Sequence, residues 1–337
     1  MHKVGGYLME LLRVEALKKY FPVKRGLAGP SQWLRAVDGI DFSVDEDRIF
    51  ALVGESGCGK STVARLVLNL ATPTSGKIFF GGKDISELKS TSLKAFRRSL
   101  QIIFQDPFAS LNPRMTVFDT ISEPLKIHGI VEKKNMKDAC AELLKKVGLG
   151  AEVLNRYPHE FSGGQRQRIC IARALAVGPK LIVADEPLSA LDVSIQAQIL
   201  NLLQELKRET KISFLFISHD LKIVHYFSDA VGVMYLGKIV ERAKTEDLFR
   251  EPMHPYTVVL LESAPRIFHS PTHPQARSPK VIGDVPSPIH IPPGCPFHPR
   301  CPRRFEPCDK FVPLLEEPVS KGYSGRLVSC HLWNPWE

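Results

Sequence analysis

One octapeptide, Gly54-Glu55-Ser56-Gly57-Cys58-Gly59-Lys60-Ser61, constrains this chain more than any other feature, because it fits the phosphate-loop pattern G-x-x-x-x-G-K-[ST]. The apolar run Ile49-Phe50-Ala51-Leu52-Val53 precedes it and a helical stretch from Thr62 to Leu70 follows. That strand, loop and helix setting separates a phosphate cradle from an ordinary Gly-rich turn. Glycines let backbone N–H groups close round a β-phosphate, and the helix N-terminus adds the positive end of its dipole. Lys60 neutralises β and γ oxygens, and Ser61 can ligate Mg²⁺. Gly54, Ser56, Gly57, Cys58, Gly59, Lys60, Ser61 and Thr62 are therefore the expected nucleotide contacts, with ATP and Mg²⁺ as the bound species.

A second element of phosphate chemistry is the apolar run Leu181-Ile182-Val183-Ala184, which delivers Asp185 and Glu186 before the chain turns at Pro187. Neighbouring residues on a strand point to opposite sides, so one carboxylate can hold hydrated Mg²⁺ (Asp185) while the next faces an attacking water (Glu186). These runs and Ile212 to Ile217 alternate with helical stretches, a pattern that predicts an α/β fold with a largely parallel sheet and crossover helices. Ligands of such sheets sit at the carboxyl ends of the strands. A helix-rich insertion is expected over about 92–177, and short strands joined by turns over 1–48 and 75–81.

The chain has 337 residues with 45 Lys and Arg against 36 Asp and Glu, a formal charge of +9. Such a balance suits phosphates, nucleic acid or an anionic membrane surface, and equally an ordinary solvated surface. No apolar run approaches the roughly 20 residues of a spanning helix, so the expectation is a cytosolic chain. Its seven cysteines should then be thiols or metal ligands.

Phe161-Ser162-Gly163-Gly164-Gln165-Arg166-Gln167-Arg168 resembles the signature that sets the ABC ATPases apart from other phosphate-loop proteins; Phe161 stands where the family usually has Leu. Ser162 and the backbone N–H groups of Gly163 and Gly164 at a helix N-terminus form a second anion site. The resemblance implies that this site, with Gln165, completes the γ-phosphate site of an opposing subunit. Other family motifs follow in order. Gln105 in Ile102-Ile103-Phe104-Gln105-Asp106-Pro107 looks like the Q-loop, which implies a catalytic role and Mg²⁺ ligation. Asp192 in Ser189-Ala190-Leu191-Asp192 looks like the D-loop, and His219 in Ile217-Ser218-His219-Asp220 like the switch histidine. The adenine should stack on Tyr20 or Phe21, with Phe21 preferred. The implied fold is a RecA-like P-loop NTPase lobe, an antiparallel β lobe at the N-terminus and the inserted helical lobe.

After about residue 265 Pro, His and Cys crowd the sequence, so the expected domains are 1–265 for the ATPase and 266–337 for a small irregular extension. Cys295, Cys301, Cys308 and Cys330 follow the spacing C-x5-C-x6-C-x21-C. A metal centre would supply the cohesion that the segment's sparse apolar content does not. Without a short Cys pair of the structural zinc type, four thiolates suit a [4Fe–4S] cluster at least as well as zinc, with unliganded thiols the plain alternative. Cys-Pro-Phe-His-Pro-Arg-Cys-Pro resembles the C-terminal extension of oligopeptide/dipeptide (Opp/Dpp) transporter subunits, some of which carry such a cluster. That resemblance implies an ATPase on the cytoplasmic face of the cell membrane, powering import of di- or oligopeptides. The implied partners are a homologous ATPase subunit in a heterodimer, two membrane permease subunits and, indirectly, an extracytoplasmic solute-binding protein, with no nucleic acid. The alternatives are a soluble ABC ATPase acting on nucleic acid or ribosomes, and an iron–sulfur redox-sensing regulatory module.

Overall fold

A computed structural model describes residues 9–23, 32–263, 283–319 and 325–334. The strands β1 (Glu10–Val23) and β2 (Gln32–Asp45), each of 14 residues, precede the fully buried β3 (Ile49–Val53) and α1 (Lys60–Val67). Next come β4 (Ser75–Phe80), β5 (Lys83–Asp84), α2 (Ser90–Ser99), β6 (Leu100–Ile103), α3 (Pro107–Ser110) and α4 (Val117–His128). The middle of the chain forms α5 (Met136–Lys146), α6 (Gly163–Leu175), β7 (Leu181–Asp185), α7 (Val193–Thr210) and β8 (Ser213–Ser218). After these follow α8 (Leu221–Phe227), β9 (Ala230–Tyr235), β10 (Lys238–Lys244), α9 (Thr245–Arg250), α10 (Pro255–Ser263) and β11 (Leu327–Val328). Among the described residues, no helix is long and apolar enough to cross a membrane.

Two compact units emerge among the described residues, the first drawn from the segments Met1–Leu12, Val44–Ile49 and Phe80–Ile217. Its strands β6, β7 and β8 form a parallel ladder with Leu100 opposite Leu181 and Leu181 opposite Ser213. Leu181, Ile182, Val183 and Ala184 are wholly buried. A strand covered on both faces reads as an unbroken apolar run, which is why this one was legible. The segment expected to be helical contains α2 to α6, interrupted by β6; Leu100-Gln101-Ile102-Ile103 is too short for periodicity to assign, and its ladder with β7 makes it a strand. Thr116 and Asp119 form a reciprocal capping box at the start of α4, and Gly129 ends that helix at φ 62°.

The second unit comprises Arg13–Ser43, Phe50–Phe79 and Ser218–Glu337. Here β3 lies parallel to β9, while β9 and β10 form a hairpin whose turn residues Leu236 and Gly237 both have positive φ, as a two-residue turn matching strand twist requires. In a separate sheet β1 lies between β2 and β4. The N-terminal strands are thus long rather than short.

The boundary expected near residue 265 lies outside the described residues. Among the described residues of 283–319 and 325–334 the regular elements are β11 and a 3₁₀ turn over His298–Arg300, so cohesion comes from side chains. Phe297 and Val328 are wholly buried, which gives the segment more of a core than its composition suggests. Arg326 donates to Glu241 at 3.1 Å and to the Glu251 carbonyl, and Glu241 also accepts from the backbone N–H groups of Met253 (3.0 Å) and His254 (2.8 Å). A buried carboxylate supplied with this many donors makes a directional strap between β10 and the C-terminal segment.

Candidate functional site

The phosphate loop is built by close backbone approach. A Cβ on Gly59 (φ 112°) would lie 2.0 Å from the Ala36 carbonyl oxygen, and one on Gly54 (φ 152°) 2.1 Å from that of Met234. Glycine is the residue that fits at both places. Lys60, 4% exposed, opens α1, and its ammonium donates to the carbonyls of Gly54 (2.8 Å) and Glu55 (3.1 Å). Gly59 takes the N-cap place without a side-chain hydrogen bond, leaving the orientation of this helix start to the loop. Cys58 is buried, and burial pushes its thiol above the ordinary value, consistent with a packing role.

Of the two candidate adenine partners, Tyr20 is already committed. Its hydroxyl donates to Asp38, and burial together with that carboxylate pushes the phenol up to about 12. Burial alone would raise Asp38, but the Tyr20 hydrogen bond and the Lys238 ammonium at 3.3 Å hold it below the usual carboxylate range. Phe21 is 39% exposed, its ring covered at 5.0 Å by the Lys19 ammonium. The second unit also holds His219, an exposed residue between β8 and α8; Asp220 beside it caps α8 by accepting from the N–H of Lys222 at 2.9 Å.

The first unit gathers the carboxylates and the signature. Asp185 ends β7, and Glu186 follows with φ 48°, a left-handed conformation that costs a non-glycine residue about 1–3 kcal/mol. The Glu186 N–H donates to the Ile217 carbonyl at 2.9 Å, and its carboxylate accepts from the Gln105 carboxamide at 3.1 Å. Two residues 81 positions apart are thereby placed together. Ser162 caps α6: its hydroxyl accepts from the Gln165 N–H (3.4 Å) while Gln165 accepts from the Ser162 N–H (3.1 Å). Gly164 packs so tightly that a Cβ there would lie 2.6 Å from Ile195 Cγ2, and Gly163 faces Leu191. Asp192 caps α7, and the Ser194 hydroxyl, first among its donors, holds its carboxyl below the ordinary value.

Two supporting residues have roles that only the fold reveals. Gln167, wholly buried, donates at 2.7 Å to the carbonyl of Pro187, and so ties the signature helix to the turn directly after Glu186. Gln196 donates to the carbonyls of Leu188 and Leu191, each at 3.0 Å, and fixes the loop that ends in Asp192. Gln167 does lie inside the signature octapeptide, and its burial is what distinguishes it from its exposed neighbour Gln165.

Cys295, Cys301, Cys308 and Cys330 line one cavity in the C-terminal segment, together with His298 and His331. Burial, followed by the nearby Cys308 and Cys301, pushes the Cys295 thiol up to about 12; burial, then the other three cysteines, does the same to Cys330. The four sulfurs are thus electrostatic neighbours. Among the described residues, no group of three or more His, Cys, Asp or Glu closes to metal-holding geometry. The donor chemistry of the cavity is that of a thiolate site.

Residues 37–189 match the family model described as ABC transporter, and residues 240–308 that described as oligopeptide/dipeptide transporter, C-terminal region. The chain is 45% identical to the dipeptide transport ATP-binding protein DppF of Escherichia coli (strain K12), covering 95% of this chain and 93% of that protein. It is 47% identical to the oligopeptide transport ATP-binding protein AppF of Bacillus subtilis (strain 168), covering 96% and 98%. Among solved structures it is similar to the ATP-binding cassette MJ0796, a dimer in a post-hydrolysis state with ADP and Pi (TM-score 0.61, 27% identity, 69% of this chain and 98% of that one). It is also similar to cbiO1 from Clostridium perfringens, part of the ABC transporter complex cbiONQ (TM-score 0.61, 28% identity, 72% and 91%).

Proposed function

Because this chain belongs to the family of ABC-transporter ATP-binding proteins, in its oligopeptide/dipeptide branch, we propose that it hydrolyses ATP to power peptide import through a membrane permease. Lys60 and the loop N–H groups from Gly57 to Ser61, with Gly54, Ser56 and Thr62 shaping the cradle, bind the phosphates. Phe21 stacks on the adenine, since the Tyr20 hydroxyl is held by Asp38. Ser61, Gln105 and Asp185 offer the oxygen donors that Mg²⁺ prefers, and the cation offsets phosphate charge when bound. Glu186 polarises the attacking water and His219 steadies the γ-phosphate. Ser162, Gly163, Gly164 and Gln165, flanked by the Asp192 loop, cap the γ-phosphate held by a partner ATPase. The dimer described for the MJ0796 cassette supports that arrangement. A homologous ATPase, two permease subunits and an extracytoplasmic solute-binding protein complete the assembly at the cytoplasmic face of the cell membrane.

The observation that carries this reading is the union, in one chain, of an intact phosphate loop with a segment matching the oligopeptide/dipeptide C-terminal model. A strain lacking the gene should lose uptake of labelled di- and oligopeptides, regain it with the wild-type gene and fail to regain it with Lys60→Met. Undiminished peptide uptake in the deletion strain would remove the peptide assignment.

We propose further that Cys295, Cys301, Cys308 and Cys330 hold an iron–sulfur cluster. Their shared cavity supports this, and such a centre would cross-link a segment with little regular structure. Protein purified without oxygen should contain iron and acid-labile sulfide in equal amounts, both lost in Cys308→Ser. Zinc in place of iron, or no metal at all, rejects the cluster.

A further inference from the structure

Glu55 occupies the first variable position of the phosphate loop, and nothing in nucleotide chemistry requires a carboxylate there. Yet all three of its polar groups are engaged. Its N–H donates to the Tyr256 hydroxyl at 2.9 Å, and its carbonyl accepts from the Lys60 ammonium at 3.1 Å. Its carboxylate takes both terminal nitrogens of Arg300, at 2.9 and 3.0 Å. The two outside partners, Tyr256 and Arg300, stand 201 and 245 positions away in sequence.

Both partners are themselves rigidly held. Tyr256 is wholly buried and Arg300 is 8% exposed. Their supports are the rings of Tyr235 and Phe297: Tyr235 lies 4.6 Å from Tyr256, and Phe297 lies 5.3 Å from Tyr235 and 5.4 Å from Tyr256. The Arg300 guanidinium packs 5.9 Å from both supporting rings. The Tyr256 N–H in turn donates to His254 Nδ1 at 3.0 Å, so the stretch His254-Pro255-Tyr256-Thr257 is fixed from within. A bidentate guanidinium–carboxylate pair is directional as well as strong, and this one is largely shielded from water on the arginine side.

The loop needs such support. Gly54, Gly57 and Gly59 all have positive φ, and a glycine-rich segment loses more freedom on ordering than any other. Whatever holds the loop in shape before ATP arrives removes that loss from the binding step. We infer that Arg300 and Tyr256 are positioning residues for ATP binding: from the C-terminal part of the chain they clamp Glu55 and so preorganise the phosphate loop and Lys60. Both act through Glu55, and the inference rests on the reading of Gly54 to Ser61 as the phosphate cradle.

Because the clamp acts on ground-state and transition-state binding alike, its loss should appear in affinity and KM with kcat preserved. Arg300→Met in the full chain should weaken binding of a fluorescent ATP analogue about tenfold and raise KM for ATP similarly, with kcat within about twofold; Arg300→Lys should recover part of the loss. Glu55→Gln removes the same pair from the loop side without altering the cysteine cavity, so it should give a similar loss even if the tail tolerates Arg300→Met poorly. The double variant should be no weaker than either single one, since both break one interaction. Wild-type affinity in Glu55→Gln, or additive losses in the double variant, overturns the clamp. Lys60→Met separates the two levels. If Lys60→Met still binds ATP normally, the cradle reading itself is wrong; if it loses ATP while Glu55→Gln does not, the clamp alone is rejected.

Discussion

Glu186→Gln is expected to lower ATP turnover by about 10²- to 10⁴-fold, the usual contribution of a positioned general base, while leaving ATP affinity within about threefold of wild type. The substitution is nearly isosteric, and the features that place residue 186 are backbone features: its position after β7, its φ of 48° and its N–H bond to Ile217. The carboxamide can still meet the Gln105 side chain that now donates to the carboxylate. What it cannot do is accept a proton from water. With ATP present, the variant should therefore accumulate as a closed pair, with itself or with a homologous ATPase, detectable by size-exclusion chromatography with light scattering. Turnover at the wild-type rate would take Glu186 out of the base role, and a persistent monomer with ATP bound would remove the shared γ-phosphate site.

The second large effect is expected at Gly59. In Gly59→Ala the new methyl would meet the Ala36 carbonyl oxygen at 2.0 Å and Met234 Cε at 2.8 Å, with φ at 112°. The methionine tip can turn aside, but a backbone oxygen in a strand cannot, so the loop itself must shift by an ångström or more. Displacement on that scale typically costs about 100-fold where groups must be aligned, and ATP affinity should fall by at least that much. Gly81→Ala provides the comparison: Gly81 also has positive φ (54°), but its Cβ would meet nothing within 4 Å. It should lose some stability and keep wild-type ATP affinity. Equal ATP affinity in the two variants would mean that the close approach at Gly59 does not shape the cradle.

Both sites were legible in the sequence to different depths. The cradle is local: three glycines, Lys60 and Ser61 within eight consecutive positions must lie together whatever the rest of the chain does. β7 was equally plain, since complete burial leaves an unbroken apolar run. The resemblance to the family's Q-loop singled out Gln105, and its hydrogen bond to Glu186 became visible only in the fold. β6 was not separable from its helical surroundings, because four residues are too few to display a period.

The sequence by itself determined the phosphate loop, the acidic strand end and the family motifs, because these depend on neighbours along the chain. Tertiary structure alone decided that Tyr20 serves Asp38 while Phe21 stays exposed, and that Gln167 braces the turn after Glu186. It also decided that Tyr256 and Arg300 grip the phosphate loop, and that four cysteines share one cavity. The physical reason is that long-range polar partners leave no periodic trace. A hydrogen bond between residues 245 positions apart is specified by the packing of everything between them, and that packing exists only once the chain has folded.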